Sequence, residues 1–227
     1  EKKPLYHFMP GSKAFSIGTN GCNLHCKFCQ NWDISQVKAD ENGNIINPKK
    51  IVEECVKSEC EVIAYTYNEP TVFYEYILET AKLARKNGLK NIMVSNGFIN
   101  EMPLRELVKF IDAANIDLKS FDGEFYKKDC DALLEPVLNS LKIIYDSSVH
   151  LEITNLIIPG LNDDLKMIDK MCKWIVSNLG KDVVLHFSAF YPQYKMMNIE
   201  RTSKEVLIKA KKIALSNGLK KVYLGNV

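Results

Sequence analysis

This chain has no apolar run of the length a membrane-spanning helix requires, and its first residues lack the basic-then-apolar pattern of a signal peptide. No contact with a membrane is expected. A surplus of one charge is also missing. The 30 Lys and Arg against 28 Asp and Glu leave a formal charge of +2, which gives no electrostatic basis for binding nucleic acid. Arginine is scarce, present only as Arg85, Arg105 and Arg201. Lysine supplies the remaining positive charge, a bias that fits a thermophile or an AT-rich genome. The seven cysteines, an odd number, form no disulfide framework, so the expected setting is a reducing cytoplasm. No Gly-x-Gly-x-x-Gly follows the first strand-like segment, and a dinucleotide-binding fold loses its main signature.

The chain has 227 residues, 46% of them hydrophobic, enough for one α/β domain with a substantial core. Residues 1–227 read as a single domain. The chain starts at Glu1 without a methionine and stops at Val227 straight after a strand-like run, so trimming at both ends is expected. Strand-like segments lie at Ala14–Asn20, Glu61–Thr66, Asn91–Ser95, Ala114–Leu118, His150–Ile158, Val183–Ser188 and Lys221–Leu224. They alternate with helix-like segments at Ile51–Lys57, Phe73–Asn87, Pro103–Phe110, Leu133–Tyr145, Leu165–Asn178 and Ser203–Ser216. Pro48 marks the first helix start, Asn42-Gly43-Asn44 reads as a turn, and Gly88, Gly180 and Gly218 stand as helix-ending glycines. Such alternation predicts a parallel sheet with helices outside. Six strand–helix units and one further strand are too few for a closed eight-unit barrel. An open, partial (β/α)6 barrel with a short extra C-terminal strand fits the count. A doubly wound open sheet is the alternative.

Cys22, Cys26 and Cys29 form a C-x3-C-x2-C run with Phe28 just before the last cysteine. Three thiolates on one loop match three irons of a [4Fe–4S] cluster, and no fourth cysteine lies close by. The next, Cys55, falls in a helical pattern beyond a turn. An iron left open to a small molecule points to catalysis at the cluster. Two plainer readings stand beside this one, a zinc site and a set of reduced core thiols. Zinc sites use paired short spacings and four ligands, and His25, inside the loop and next to Cys26, has poor freedom to serve as the fourth. Cys55, Cys60, Cys130 and Cys172 show no paired spacing and read as buried, inert thiols. In barrels of this type the active groups sit at the C-terminal ends of the strands. Of the four histidines, only His186 is expected to face that end.

The cysteine run with its aromatic resembles the signature loop of the radical S-adenosylmethionine (SAM) superfamily. The resemblance implies a TIM-like partial barrel, a [4Fe–4S] cluster on Cys22, Cys26 and Cys29, and SAM as second cofactor. It implies reductive cleavage of SAM to methionine and a 5′-deoxyadenosyl radical that takes hydrogen from a substrate. It also implies SAM contacts. Phe28 resembles the aromatic near the adenine. Tyr67-Asn68-Glu69-Pro70 matches a Gly-Gly-Glu-Pro run, with Asn68 in place of a glycine and Glu69 as acceptor for the SAM amine. Ser95 and Asn96 stand near the ribose. Asp117 and Lys119 match an Asp-x-Lys pattern of the glycyl-radical-activase branch, with Lys119 opposite the methionyl carboxylate. Thr154 stands where that branch has a basic residue, Tyr191 where it has a histidine, and Val94 where it has an acid. These departures argue against a standard pyruvate formate-lyase activase. The plain alternatives are a helix-start role for Glu69, core packing for Phe28 and a surface ion pair for Asp117 and Lys119.

Longer stretches narrow the resemblance. Tyr6–Ser12, Gly18–Cys22, Cys29–Trp32, Ile116–Lys119, Leu185–Ser188 and Leu224–Val227 are similar to the radical SAM member of the AmmeMemoRadiSam system. That likeness implies Memo-like and AMMECR-type partners. The superfamily implies an electron donor of flavodoxin or ferredoxin type. The substrate is expected to be a segment of a partner protein or a small metabolite. The competing reading is an iron–sulfur electron carrier, or a partner subunit with a structural cluster.

Overall fold

The structure is a computed structural model and describes residues 5–37 and 46–227. The Asn42-Gly43-Asn44 turn lies outside the described residues. Seven strands, β1 (Ala14–Ile17), β2 (Val62–Tyr65), β3 (Lys90–Ser95), β4 (Ala113–Asp117), β5 (His150–Ile157), β6 (Val184–Ala189) and β7 (Lys221–Gly225), make one sheet. Each strand is parallel to its neighbours, in simple sequential order. β1 and β7 are the two edges, so the sheet curls without closing. The strand order never reverses, which separates this fold from a doubly wound sheet.

Between the strands run α1 (Trp32–Ser35), α2 (Pro48–Lys57), α3 (Tyr74–Lys86), α4 (Glu101–Leu107), α5 (Gly123–Phe125), α6 (Leu134–Asp146), α7 (Leu165–Leu179) and α8 (Lys204–Ser216). The long helices form where apolar residues recur at helical spacing, and in three of them a polar side chain caps the start. Asn47, Asp164 and Ser203 accept the N–H groups of Lys49, Lys166 and Val206 respectively. α4 starts two residues before Pro103, the expected first residue. The proline falls in the first turn, where a missing N–H costs nothing. The short α1 and α5, and a π-helical turn at Tyr126–Cys130, were not legible, because none holds a full period of apolar residues. Among the described residues no helix is long and apolar enough to cross a membrane.

The strands alternate in side-chain direction, and this divides the core in two. Ile63, Met93, Ile116, Ile153 and Leu185 pack outward under the helices in the main core. Val62, Ala64, Ile92 and Ala113 form a small inner cluster, filled by Leu5, Phe8 and Met9 of the N-terminal segment. That segment is a plug in the hollow of the half-barrel.

Candidate active site

β1 ends at Ile17, three residues before the expected strand end, and the cysteine loop leaves it at Gly18. A Cβ at Gly18 would stand 2.7 Å from the Thr66 carbonyl oxygen, so only glycine lets the loop pass the end of β2. The loop is then pinned from several sides. The N–H groups of His25 and Lys27 donate to the carbonyls of Cys130 and Asp129 at 2.9 Å each. Asn23 Nδ2 donates to Phe98 O at 2.7 Å, and Asn68 Nδ2 to Gly21 O at 2.5 Å. Asn68, where the related run has glycine, thus ties the loop to the end of β2. Tyr67, in place of the other glycine, keeps a glycine-like backbone with φ at 77°.

Cys22, Cys26 and Cys29 all line one cavity of about 680 Å³ at the C-terminal ends of the strands. Each thiol has a different neighbour. Leu24 N–H points at Cys22 Sγ from 3.4 Å and Asn96 Nδ2 from 3.7 Å. Burial pushes the Cys22 thiol up to about 12. Cys26 is hydrogen-bonded to buried Cys130, which favours the Cys26 thiolate and leaves Cys130 protonated. Cys29 Sγ lies 3.0 Å from Ser35 Oγ. Among the described residues no three acidic, histidine or cysteine side chains converge on one point as they stand. A [4Fe–4S] cluster needs no such convergence, since each thiolate would bind a different iron. Three free cysteines on one pinned loop, with donors aimed at sulfur, fit that group.

The same cavity brings together Phe28, Asn68, Ser95, Asn96, Asp117, Lys119 and Thr154, each expected at the site. Lys119 Nζ lies 2.6 Å from Asp117 Oδ2. Burial opposes the Lys119 charge, but the Asp117 carboxylate outweighs it and keeps the ammonium protonated. Thr154 Oγ1 donates to Asn115 Oδ1 at 2.9 Å. Phe28 is buried and packs against Phe125 with ring centroids 5.7 Å apart.

Two expected contacts are not on the cavity wall. Glu69 is fully buried behind it. Its Oε1 accepts Thr71 N–H at 3.0 Å and Ser95 O–H at 2.8 Å, and its Oε2 accepts Asn96 N–H at 2.8 Å. Burial holds this carboxyl above the usual range despite those bonds. Three protein donors thus engage the Glu69 oxygens, and through them Glu69 holds Ser95 and Asn96 at the wall. Tyr191 is exposed, with Arg201 over its ring at 4.3 Å and its O–H donating to Asn226 O. The β6 side of the wall is made instead by His186 and Ser188, and the β7 side by Leu224, Gly225, Asn226 and Val227. Tyr6 from the plug lies in the wall as well. Of these, His186 and Ser188 had a signal in the polar residues at period two within an apolar strand. Tyr6 had none of that kind.

A larger cavity of about 1030 Å³ is lined mainly by residues 5–16, with Tyr67 and Tyr223. It holds none of the three loop cysteines and no Asp–Lys pair, so the chemistry belongs to the smaller one.

Residues 16–175 match the family described as the radical SAM superfamily. The chain belongs to the radical SAM superfamily. It is an enzyme of that type, and the family's cofactors are a [4Fe–4S] cluster and SAM. It is 43% identical over 228 residues to an uncharacterized protein of Methanocaldococcus jannaschii, covering 100% of this chain and 68% of that one. It is 25% identical over 232 residues to the pyruvate formate-lyase-activating enzyme of Staphylococcus epidermidis, covering 92% and 91%. Its fold is similar to that of Streptococcus suis SuiB bound to S-adenosylmethionine, with a TM-score of 0.72 and 10% identity over 95% of this chain and 51% of that one.

Proposed function

We propose that this radical SAM enzyme binds SAM in the 680 Å³ cavity and acts on a segment of a partner protein, as an activase does. The observation that carries the reading is the shared wall: the three loop cysteines, Ser95, Asn96 and the Asp117–Lys119 pair all border one cavity. Cys22, Cys26 and Cys29 hold the cluster. When bound, cluster and SAM supply the cleavage of the C5′–S bond that yields methionine and a 5′-deoxyadenosyl radical able to take hydrogen from a substrate.

The residues orient and shield. Lys119 balances the methionyl carboxylate, and Asp117 keeps Lys119 charged and in place. Ser95 and Asn96 face the ribose from the end of β3, held there by Glu69. Phe28 closes the adenine side and excludes water. Thr154 supplies a neutral hydroxyl where a charge would compete with the ligand. The likeness to a pyruvate formate-lyase-activating enzyme, together with a sheet whose edge strands β1 and β7 do not pair, supports a protein segment as substrate. The reductant is of flavodoxin or ferredoxin type, and the partners are Memo-like and AMMECR-type proteins.

The test is SAM turnover by anaerobically reconstituted, dithionite-reduced protein. The expected product is 5′-deoxyadenosine, and its absence overturns the reading. Deuterium passing into 5′-deoxyadenosine from a labelled glycine of a partner protein supports the activase part. Transfer from a small molecule, with no stable protein radical by electron paramagnetic resonance, overturns that part alone.

A further inference from the structure

On β5, one step before Thr154 on the same inward face, stands a polar cluster that the SAM contacts above do not use. Glu152 is fully buried, and four groups reach its carboxylate. The N–H groups of Tyr6 and His7 donate at 3.0 and 2.9 Å. His150 Nε2 lies at 3.0 Å and His186 Nε2 at 2.5 Å. Burial works against the Glu152 charge, but these hydrogen bonds outweigh it and hold the carboxyl well below the usual range.

The consequence falls on His186. Its Nε2 is committed to Glu152, so Nδ1 is the ring atom left for chemistry. Its neighbour across the sheet is Thr154, and Thr154 in turn is beside Asp117, so the three stand in one row across β4, β5 and β6. All three line the cavity. Tyr6 meets the imidazole edge-on at 4.7 Å, and Tyr223 stacks on it at 5.5 Å, which fixes the ring plane. A carboxylate that orients an imidazole at the wall of an active cavity is the arrangement of a general base and its orienting group.

We propose that His186 is a catalytic residue of this enzyme, the base that takes a proton from an O–H or N–H of the substrate beside the reacting carbon. The inference rests on the reading of the cavity given above. An O–H or N–H that gives up its proton leaves the adjacent C–H bond weaker. The proton moves from the substrate heteroatom to Nδ1 as the hydrogen atom leaves that carbon, and the bonding pair stays on the heteroatom. No electron changes owner in that proton transfer. The imidazolium formed is matched by the Glu152 carboxylate, which leaves the pair neutral. The substrate group is therefore a polar one, an alcohol, amine or amide.

The titratable groups around His186 are Glu152 and His150 on β5, Tyr6 and His7 on the plug, Tyr223 on β7, and Asp117 with Lys119 at the end of β4. The experiment compares two pH profiles of the cluster-loaded, SAM-bound full chain. One is the titration of His186 followed by nitrogen-15 NMR. The other is 5′-deoxyadenosine formation in the presence of an anaerobic extract of cells that make the enzyme. The expected result is an Nε2–H tautomer, and a rate that rises with pH through the His186 midpoint. Glu152→Gln should move both midpoints together, and Glu152→Asp should bring them back toward the wild-type values. The wild-type comparison stands alone if Glu152→Gln does not fold. A His186 fixed in one protonation state from about pH 5 to 9, the span around its ordinary value, overturns the proposal with or without stimulation by the extract. So does a rate profile that ignores the His186 midpoint. Wild-type protein that makes no 5′-deoxyadenosine at any pH overturns the reading of the cavity instead.

Discussion

The carboxylate of Glu69 accepts the backbone N–H of Asn96 at 2.8 Å, and the Asn96 amide reaches on to Cys22 Sγ at 3.7 Å. A buried acid behind the wall thus sets the position of a residue at the cluster loop. Glu69→Ala leaves the Ser95 hydroxyl and the Asn96 N–H without their acceptor. Each buried donor left unpaired costs about 1–3 kcal/mol. The expected outcome is a clear loss of thermal stability, together with SAM binding weakened by about 5- to 150-fold. Calorimetry on the folded variant checks it, and unchanged affinity would reduce Glu69 to a helix-start residue.

Replacing Cys22, Cys26 or Cys29 by alanine is expected to collapse the [4Fe–4S] signal, since the loop has no spare thiolate. Replacing Cys55, Cys60, Cys130 or Cys172 should leave cluster content unchanged. Cys130 is the sharp case, because it is hydrogen-bonded to Cys26. Iron content and the visible spectrum after reconstitution decide it. A dependence on Cys130 would mean four thiolates and no open iron.

Lys119→Ala removes the cation beside Asp117 and leaves that carboxylate alone on the cavity wall. The pair is partly solvent-exposed, which screens it, so the expected loss in SAM affinity is about tenfold rather than a thousandfold. Lys119→Arg should recover part of it. An unchanged dissociation constant for Lys119→Ala would place the methionyl carboxylate elsewhere.

Glu152 and Glu69 should bend the stability curve in opposite directions. Glu152 has a depressed folded-state pKa, so its contribution is present above the ordinary glutamate value of about 4.3 and is lost as pH falls through the folded value. Glu69 has a raised one, so its contribution is full below that ordinary value and is lost as pH rises through the folded value. Glu152→Gln should flatten the acid limb of melting temperature against pH. Glu69→Gln should flatten the decline toward neutrality. Scanning calorimetry from acid to neutral pH tests both, and parallel curves for the two variants would contradict the assignment.

Gly18→Ala puts a methyl 2.7 Å from the backbone carbonyl of Thr66, just past β2, a contact that only backbone movement relieves. The expected cost is about 1–3 kcal/mol, with disturbance of the cysteine loop. Tyr67→Gly is expected to stay within about 1 kcal/mol of wild type, because relief of the φ of 77° offsets the lost side chain. Denaturant unfolding of the two variants gives the comparison.

The amino-acid order by itself determined the strand–helix alternation, the parallel partial barrel and the cysteine loop. These rest on short-range physics: period-two and helical apolar spacing, capping residues, and three thiols a few residues apart. It also placed Asp117, Lys119, Ser95 and Asn96 at strand ends, where the structure has them line the cavity. Only the tertiary structure decided which polar residues turn into that cavity. Glu69 follows a strand end as Lys119 does, yet it points inward to the N–H of Asn96, a residue 27 positions away. Tyr191 lies two residues past β6 and is turned out to solvent. The Glu152 cluster joins Tyr6 and His7 to β5 across about 145 positions. No local pattern encodes such a bond. It exists because the half-barrel has a hollow to fill and because the register of β4, β5 and β6 sets Asp117, Thr154 and His186 side by side. Burial then forces each polar group in that hollow to find a partner, and the partners come from segments that only folding brings together.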